Sequence, residues 1–155
     1  MSVRIIDSNP HGELSSETLD AFVARAQIQL PSEYREFLLL YNGGRPIPSF
    51  FWIRPQEDGS TMQQFFGLHE GPQHLCIETY VGEERYGIPQ SMVPIGDDGT
   101  GNFICMGVGQ YNLGEIFFLD HDAHPYQTPD SMEGITRLAG SLGEFLDNLA
   151  TSPDS

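Results

Sequence analysis

Leu30-Pro31-Ser32-Glu33-Tyr34-Arg35-Glu36-Phe37-Leu38-Leu39-Leu40-Tyr41-Asn42-Gly43-Gly44 carries the start, body and stop of one helix. Pro31 suits the first turn, where its missing N–H costs nothing and its fixed φ is already helical. Ser32 and Glu33 put polarity and negative charge at the helix start. Leu30, Tyr34, Phe37, Leu38 and Tyr41 recur at three- and four-residue spacing and make one apolar face, which Leu39 and Leu40 widen. Asn42-Gly43-Gly44 ends the helix, because Asn and Gly accept the left-handed conformation of a C-terminal cap. So apolar a helix needs a sheet or other helices to cover it.

On its N-terminal side, Val3-Arg4-Ile5-Ile6 followed by Asn9-Pro10 and Gly12 reads as an arm or edge strand within residues 1–14. Ser15 or Ser16 caps a first helix, whose apolar face is Leu19, Phe22, Val23 and Ala26. On the other side, Pro46 and Pro48 exclude helix. Phe50-Phe51-Trp52-Ile53 is strand-like, residues 57–60 read as a turn, and residues 62–68 as a second strand pairing with the first. Gly71-Pro72 opens a third helix with Leu75, Cys76, Tyr80 and Val81 inward and Gly82 as its stop. Glu83-Glu84-Arg85 is a charged bend.

A meander follows. Strands are expected at residues 92–95, 103–108, 115–119 and 135–138, separated by Gly- and Asp-rich turns at 96–101 and 109–114 and a polar loop at 120–133. Ser141 and Glu144 form a capping box, each bonding the other's backbone N–H, before a final helix with Leu142, Phe145, Leu146 and Leu149 on one face. Residues 151–155 read as a frayed tail. Helices at the ends, strands in the middle and no regular β-α-β alternation give an α+β fold with a central, mainly antiparallel sheet. The expectation is one domain over residues 1–155.

Residues 30–44 resemble the opening of the SUKH superfamily, which includes bacterial toxin-immunity proteins and a fungal cell-wall assembly regulator. Its pattern is Leu-Pro, two polar residues, Tyr, two polar residues, Phe-Leu and an Asn-Gly-Gly ending. Three further pieces follow in the same order as in that family: residues 93–102, the strand ending Phe118-Leu119-Asp120-His121, and the final helix from Ser141 to Leu149. The resemblance covers most of the chain and implies the same α+β fold, with a His at 121 that ends its strand and fixes the following loop.

Composition narrows the partner. The 155 residues carry 22 acids against 7 bases, a formal net charge of -15, and all seven bases are arginine. Nucleic acid and anionic membrane surfaces are disfavoured, because phosphate contacts need Lys and Arg. A basic protein partner is favoured through complementary charge, with solubility alone as the competing explanation. No early segment pairs a charged start with a long apolar run, and no stretch of about 18 apolar residues occurs, so a cytoplasmic location is expected. Cys76 and Cys105 lack metal or redox spacing and read as buried thiols.

Catalytic and metal patterns are weak. The segment from Gly96 to Asn102 misses the calcium-loop spacing at Gly99, if Asp97 is first, and lacks the Gly-Lys-Ser/Thr ending of a phosphate loop. It reads as a hairpin turn. Asp120, His121, Asp122 and His124 offer ligand types that suit zinc or manganese, but nothing in the spacing of His69 and His74 completes a set. Gly-x-Ser-x-Gly is absent. Trp52 and the Phe50-Phe51 pair could line a pocket, although large aromatics are more often core. What remains is distributed: Glu57, Asp58, Glu83, Glu84, Asp97, Asp98, Asp120 and Asp122 fall in expected turns and loops and together suggest an acidic, partner-binding face.

These readings lead to a non-catalytic binding module with no cofactor. The resemblance implies an immunity protein that blocks a cognate bacterial toxin by direct binding, and the acidity implies a basic toxin such as a nuclease. A regulatory scaffold is the alternative, and a small metal-dependent hydrolase built on Asp120, His121 and Asp122 is a third. The oligomeric state is left open.

Overall fold

The computed structural model describes residues 3–54, 58–81, 87–125, 127–128 and 130–152. The helices are α1 (Ser16–Ala26), α2 (Ser32–Tyr41) and α3 (Leu142–Asp147). The strands are β1 (Arg4–Ile6), β2 (Arg45–Ile47), β3 (Phe50–Ile53), β4 (Asp58–Thr61), β5 (Gln64–Phe65), β6 (Met92–Asp97), β7 (Phe103–Gly107), β8 (Ile116–Leu119) and β9 (Ile135–Ala139). Strands β5 to β9 form an antiparallel meander in chain order. Two antiparallel ribbons, β1–β2 and β3–β4, flank it. This is the mixed α+β fold with a mainly antiparallel sheet that the chain order of helices and strands implied. No described helix is long and apolar enough to cross a membrane.

The core lies where α1, α2 and α3 cover this sheet, and it includes Leu19, Phe22, Leu38, Ile95, Ile104, Met106, Ile116 and Leu142. Strands β6, β7 and β8 are buried almost along their whole length, which explains their continuous apolar runs in place of alternation. Pro94 sits in β6 beside a register shift between Pro94 and Gly96. A residue without an N–H is tolerated in a sheet at such an irregularity.

Helix α2 presents Tyr34, Phe37 and Leu38 to the core. Phe37 meets the Phe65 ring edge-on at 4.7 Å and the Tyr41 ring at 5.0 Å. Leu40 departs from the expected face, being 64% exposed, and Leu39 is only partly buried. At about 100° per residue, a face centred between Phe37 and Leu38 leaves Leu40 roughly 110° away.

The Asn-Gly-Gly ending is a clasp. Asn42 adopts the left-handed conformation at φ 37°. Its Nδ2 donates to the carbonyls of Gly12 (2.9 Å) and Leu68 (3.0 Å), and its Oδ1 accepts from the Leu68 N–H (2.8 Å). The side chain therefore ties three segments together with every donor and acceptor used inside the protein. Gly67 must be glycine here, because a Cβ would stand 2.6 Å from the Asn42 carbonyl oxygen.

Three other expectations are corrected. Strand β3 pairs with β4, which takes in Asp58, Gly59 and Ser60 of the expected turn, while Gln64 and Phe65 pair with β6. The expected third helix is two short 3-10 turns, Gln73–Leu75 and Ile77–Tyr80, separated by an extended Cys76. Gly67 pairs with this break: its N–H donates to the Leu75 carbonyl and its carbonyl accepts from Ile77. Those backbone groups cannot also serve a continuous helix. Finally, only half of the capping box closes. Ser141 Oγ accepts from the Glu144 N–H, but the Glu144 carboxylate accepts from Gly140 and not from Ser141. The bend at 83–85 and the stop at Gly82 lie outside the described residues.

Candidate functional site

The β6–β7 turn and the loop after β8 lie side by side at one end of the sheet, because antiparallel pairing sets Asp97 opposite Phe103 and Phe103 opposite Leu119. Asn102 joins them. Its Nδ2 donates to Asp98 Oδ2 (2.8 Å), which fixes the amide so that Oδ1 faces His121. That oxygen accepts from the His121 backbone N–H (3.0 Å) and lies 2.6 Å from His121 Nδ1. His121 thus anchors its loop, as the resemblance implied, and its ring covers Gly101, where an added Cβ would come within 3.1 Å.

Asp98 is only 6% exposed. Its carboxylate accepts from the Thr100 and Asn102 N–H groups, the Thr100 hydroxyl, the Asn102 amide and, across to β4, the Ser60 hydroxyl. Burial alone would raise its pKa, but these donors together hold the carboxyl below the ordinary range. Asp97 moves the other way. Burial raises it and the Asp98 charge adds to the effect, against the Gln64 amide and the Gly99 N–H.

Asp120 is partly buried and accepts from the Asp122 N–H (2.9 Å), while Asp122 is exposed, with its carboxylate 3.3 Å from His121 Nε2. Asp58 is exposed on β4, two residues from Ser60. The structure therefore brings Asp97, Asp98, Asp120 and Asp122 to one end and links β4 to it through Ser60. Glu57, Glu83 and Glu84 lie outside the described residues.

Asp120, His121 and Asp122 each offer one ligand atom, all within 4.8 Å of one another, so they could touch a cation. Among the described residues that group stops at three. His124 does not extend it: its Nδ1 lies 2.8 Å from the Glu133 carbonyl and its Nε2 2.6 Å from the Gly87 carbonyl, in a buried position. His69 is likewise taken up, between the Leu75 carbonyl and the Gly71 N–H. Burial lowers the His69 pKa, with a smaller contribution from neighbouring His11. Cys105 is fully buried, and desolvation pushes its thiol far above the ordinary range, which removes it as a nucleophile.

What this arrangement does chemically is present carboxylates on a rigid turn. Sequence reasoning located the turn from its Gly and Asp residues but not the burial of Asp98, whose partner Ser60 is 38 residues away. It also gave no weight to Arg54 and Arg137, which flank a separate groove beside Trp52.

Residues 13–148 match the SMI1 / KNR4 family (SUKH-1). The chain is 28% identical over 145 residues to the SPbeta prophage-derived uncharacterized protein YokK of Bacillus subtilis (strain 168), an alignment covering 81% of this chain and 69% of that one.

Proposed function

The chain belongs to the SMI1 / KNR4 family (SUKH-1), and from that premise we propose that it is a non-catalytic binding module that neutralises a cognate bacterial toxin domain by direct contact. The family match carries this reading, and the net charge of -15 selects the kind of toxin, a basic one such as a nuclease. The proposed location is the cytoplasm of the producing cell.

Within the proposal, the carboxylates divide the work by burial. Asp98 holds the turn in shape from inside. Asp58 and Asp122, exposed, and Asp97 and Asp120, partly so, supply the field that a basic surface meets. Glu57, Glu83 and Glu84 join them on charge alone. Such a field speeds encounter more than it tightens the final complex, which depends on a few buried anchors.

The test is co-expression with the toxin domain encoded beside this gene, read as survival of the host, followed by capture of a one-to-one complex. Protection with a complex supports immunity. No protection, with capture of several host proteins instead, favours a regulatory scaffold.

A further inference from the structure

Among the described residues, four arginines are answered by carboxylates: Arg25 by Glu78, Arg35 by Asp20, Arg45 by Asp7 and Arg137 by Glu115. Arg54 is different. Its guanidinium lies over the Trp52 ring, 5.0 Å from the ring centre, and among the described residues no carboxylate meets it. In a chain with 22 acids, an exposed cation that sits on an indole and meets no carboxylate among the described residues is a departure.

Arg54 and Trp52 form one wall of a groove of about 330 Å³ between β3, β9 and the end of α3. Its apolar lining, or floor, is Phe51, Leu138 and Phe145, and Arg137 and Asn148 add polar lining. Glu115 already accepts from Arg137 Nε at 2.6 Å, so among the described residues the groove's charge without a carboxylate partner is that of Arg54. Trp52 is half-buried, held at its edge by the Phe50 ring at 5.2 Å. A guanidinium stacked on an indole keeps its N–H fork free for a carboxylate, while the apolar floor offers nothing to a strongly hydrated ion alone. Trp and Arg are also the residue types that dominate binding energy at protein interfaces.

We propose that this groove docks a peptide segment of a partner protein in which a carboxylate side chain neighbours an apolar one, the carboxylate meeting Arg54 and the apolar group resting on Phe51, Leu138 and Phe145. The site is opposite in charge to the acidic end of the sheet and does not depend on the toxin reading. Charge complementarity selects the occupant: the chain's long-range field repels acids, so only a segment that fills the floor and pairs with Arg54 together gains from binding.

Trp52 is the only tryptophan of the chain, so intrinsic fluorescence reports on the groove directly. The probes are acetyl-Asp-Phe-Glu-amide, its uncharged counterpart acetyl-Asn-Phe-Gln-amide, and phenylacetate as a free small acid. The acidic peptide is expected to give a saturable change, with the neutral peptide and phenylacetate at least tenfold weaker. Arg54→Gln should weaken the acidic peptide about tenfold or more, with Arg54→Lys between the two, and Arg25→Gln should change nothing. Because substitution at Arg54 alters the Trp52 environment, calorimetric titration reads the same affinities independently, and the exposed position keeps the fold intact. Equal binding of neutral and acidic peptides, unchanged affinity in Arg54→Gln, or no saturation with any probe would each overturn the proposal. Phenylacetate binding as tightly as the peptide would also overturn it, by making the groove a small-acid site.

Discussion

Five hydrogen bonds converge on the Asp98 carboxylate, from Ser60, Thr100 and Asn102. Asp98→Ala removes all of them and leaves the turn near the surface to find water, so the expected loss is about 2–4 kcal/mol in urea unfolding at neutral pH. The sign of its pH dependence follows from its depressed pKa. The stabilisation is complete above the unfolded-state value of about 3.9 and is lost as pH falls through the lower folded value. The gap between the parent and Asp98→Ala should therefore be constant above roughly pH 5 and close only below roughly pH 4. A gap that closes near neutrality would mean that another group sets it. The neighbouring Asp97, raised by burial, shows how little the sequence reveals at this scale. Two adjacent aspartates look equivalent, and the donors from Asn102 and Thr100 that close on Asp98 separate them.

Helix α2 was readable from its spacing and its Asn42 cap because both are local, whereas Pro31 stands at the N-cap, before the first turn expected to hold it. Its exposed leucine was not, since which side of a nearly all-apolar helix faces inward depends on what packs there. Phe37→Ala should cost about 3–5 kcal/mol, the usual penalty for emptying a buried aromatic site, while Leu40→Ala should stay within about 0.5 kcal/mol. Chemical denaturation of the pair decides whether the buried face is the one centred on Phe37 and Leu38. Tyr34 provides a second test on the same helix. It is 1% exposed, its hydroxyl finds no hydrogen-bond partner among the described residues, and burial raises its pKa far out of the ordinary range. Tyr34→Phe should stabilise the protein by about 1 kcal/mol, since an unpaired buried hydroxyl costs that much or more. Elsewhere the non-local contacts decided the elements. The 3-10 turns of residues 73–80 exist because Gly67 claims the backbone of Leu75 and Ile77, and the β3–β4 pairing moved because β6 recruits Gln64 and Phe65.

At the scale of the molecule, the α+β order and the acidity were legible, because both are properties of the whole sequence. The distribution of charge was not: the acidic end needs β6, β7 and β8 in register to bring Asp97 and Asp120 together, and the Arg54 groove needs β3, β9 and α3. Exposed carboxylates act over a screening length that falls from about 30 Å at 0.01 M salt to about 3 Å at 1 M. The double variant Asp58→Asn, Asp122→Asn should therefore slow association with a basic partner at low salt by roughly two- to tenfold, leave dissociation nearly unchanged, and match the parent at high salt. Stopped-flow mixing measures both rates. The most direct test of the central claim is the protection assay itself: the toxin domain encoded beside this gene, expressed in a sensitive host with and without this protein. The account predicts restored growth together with a one-to-one complex whose formation slows as salt rises. Unrelieved killing, with no complex at any ionic strength, would contradict it.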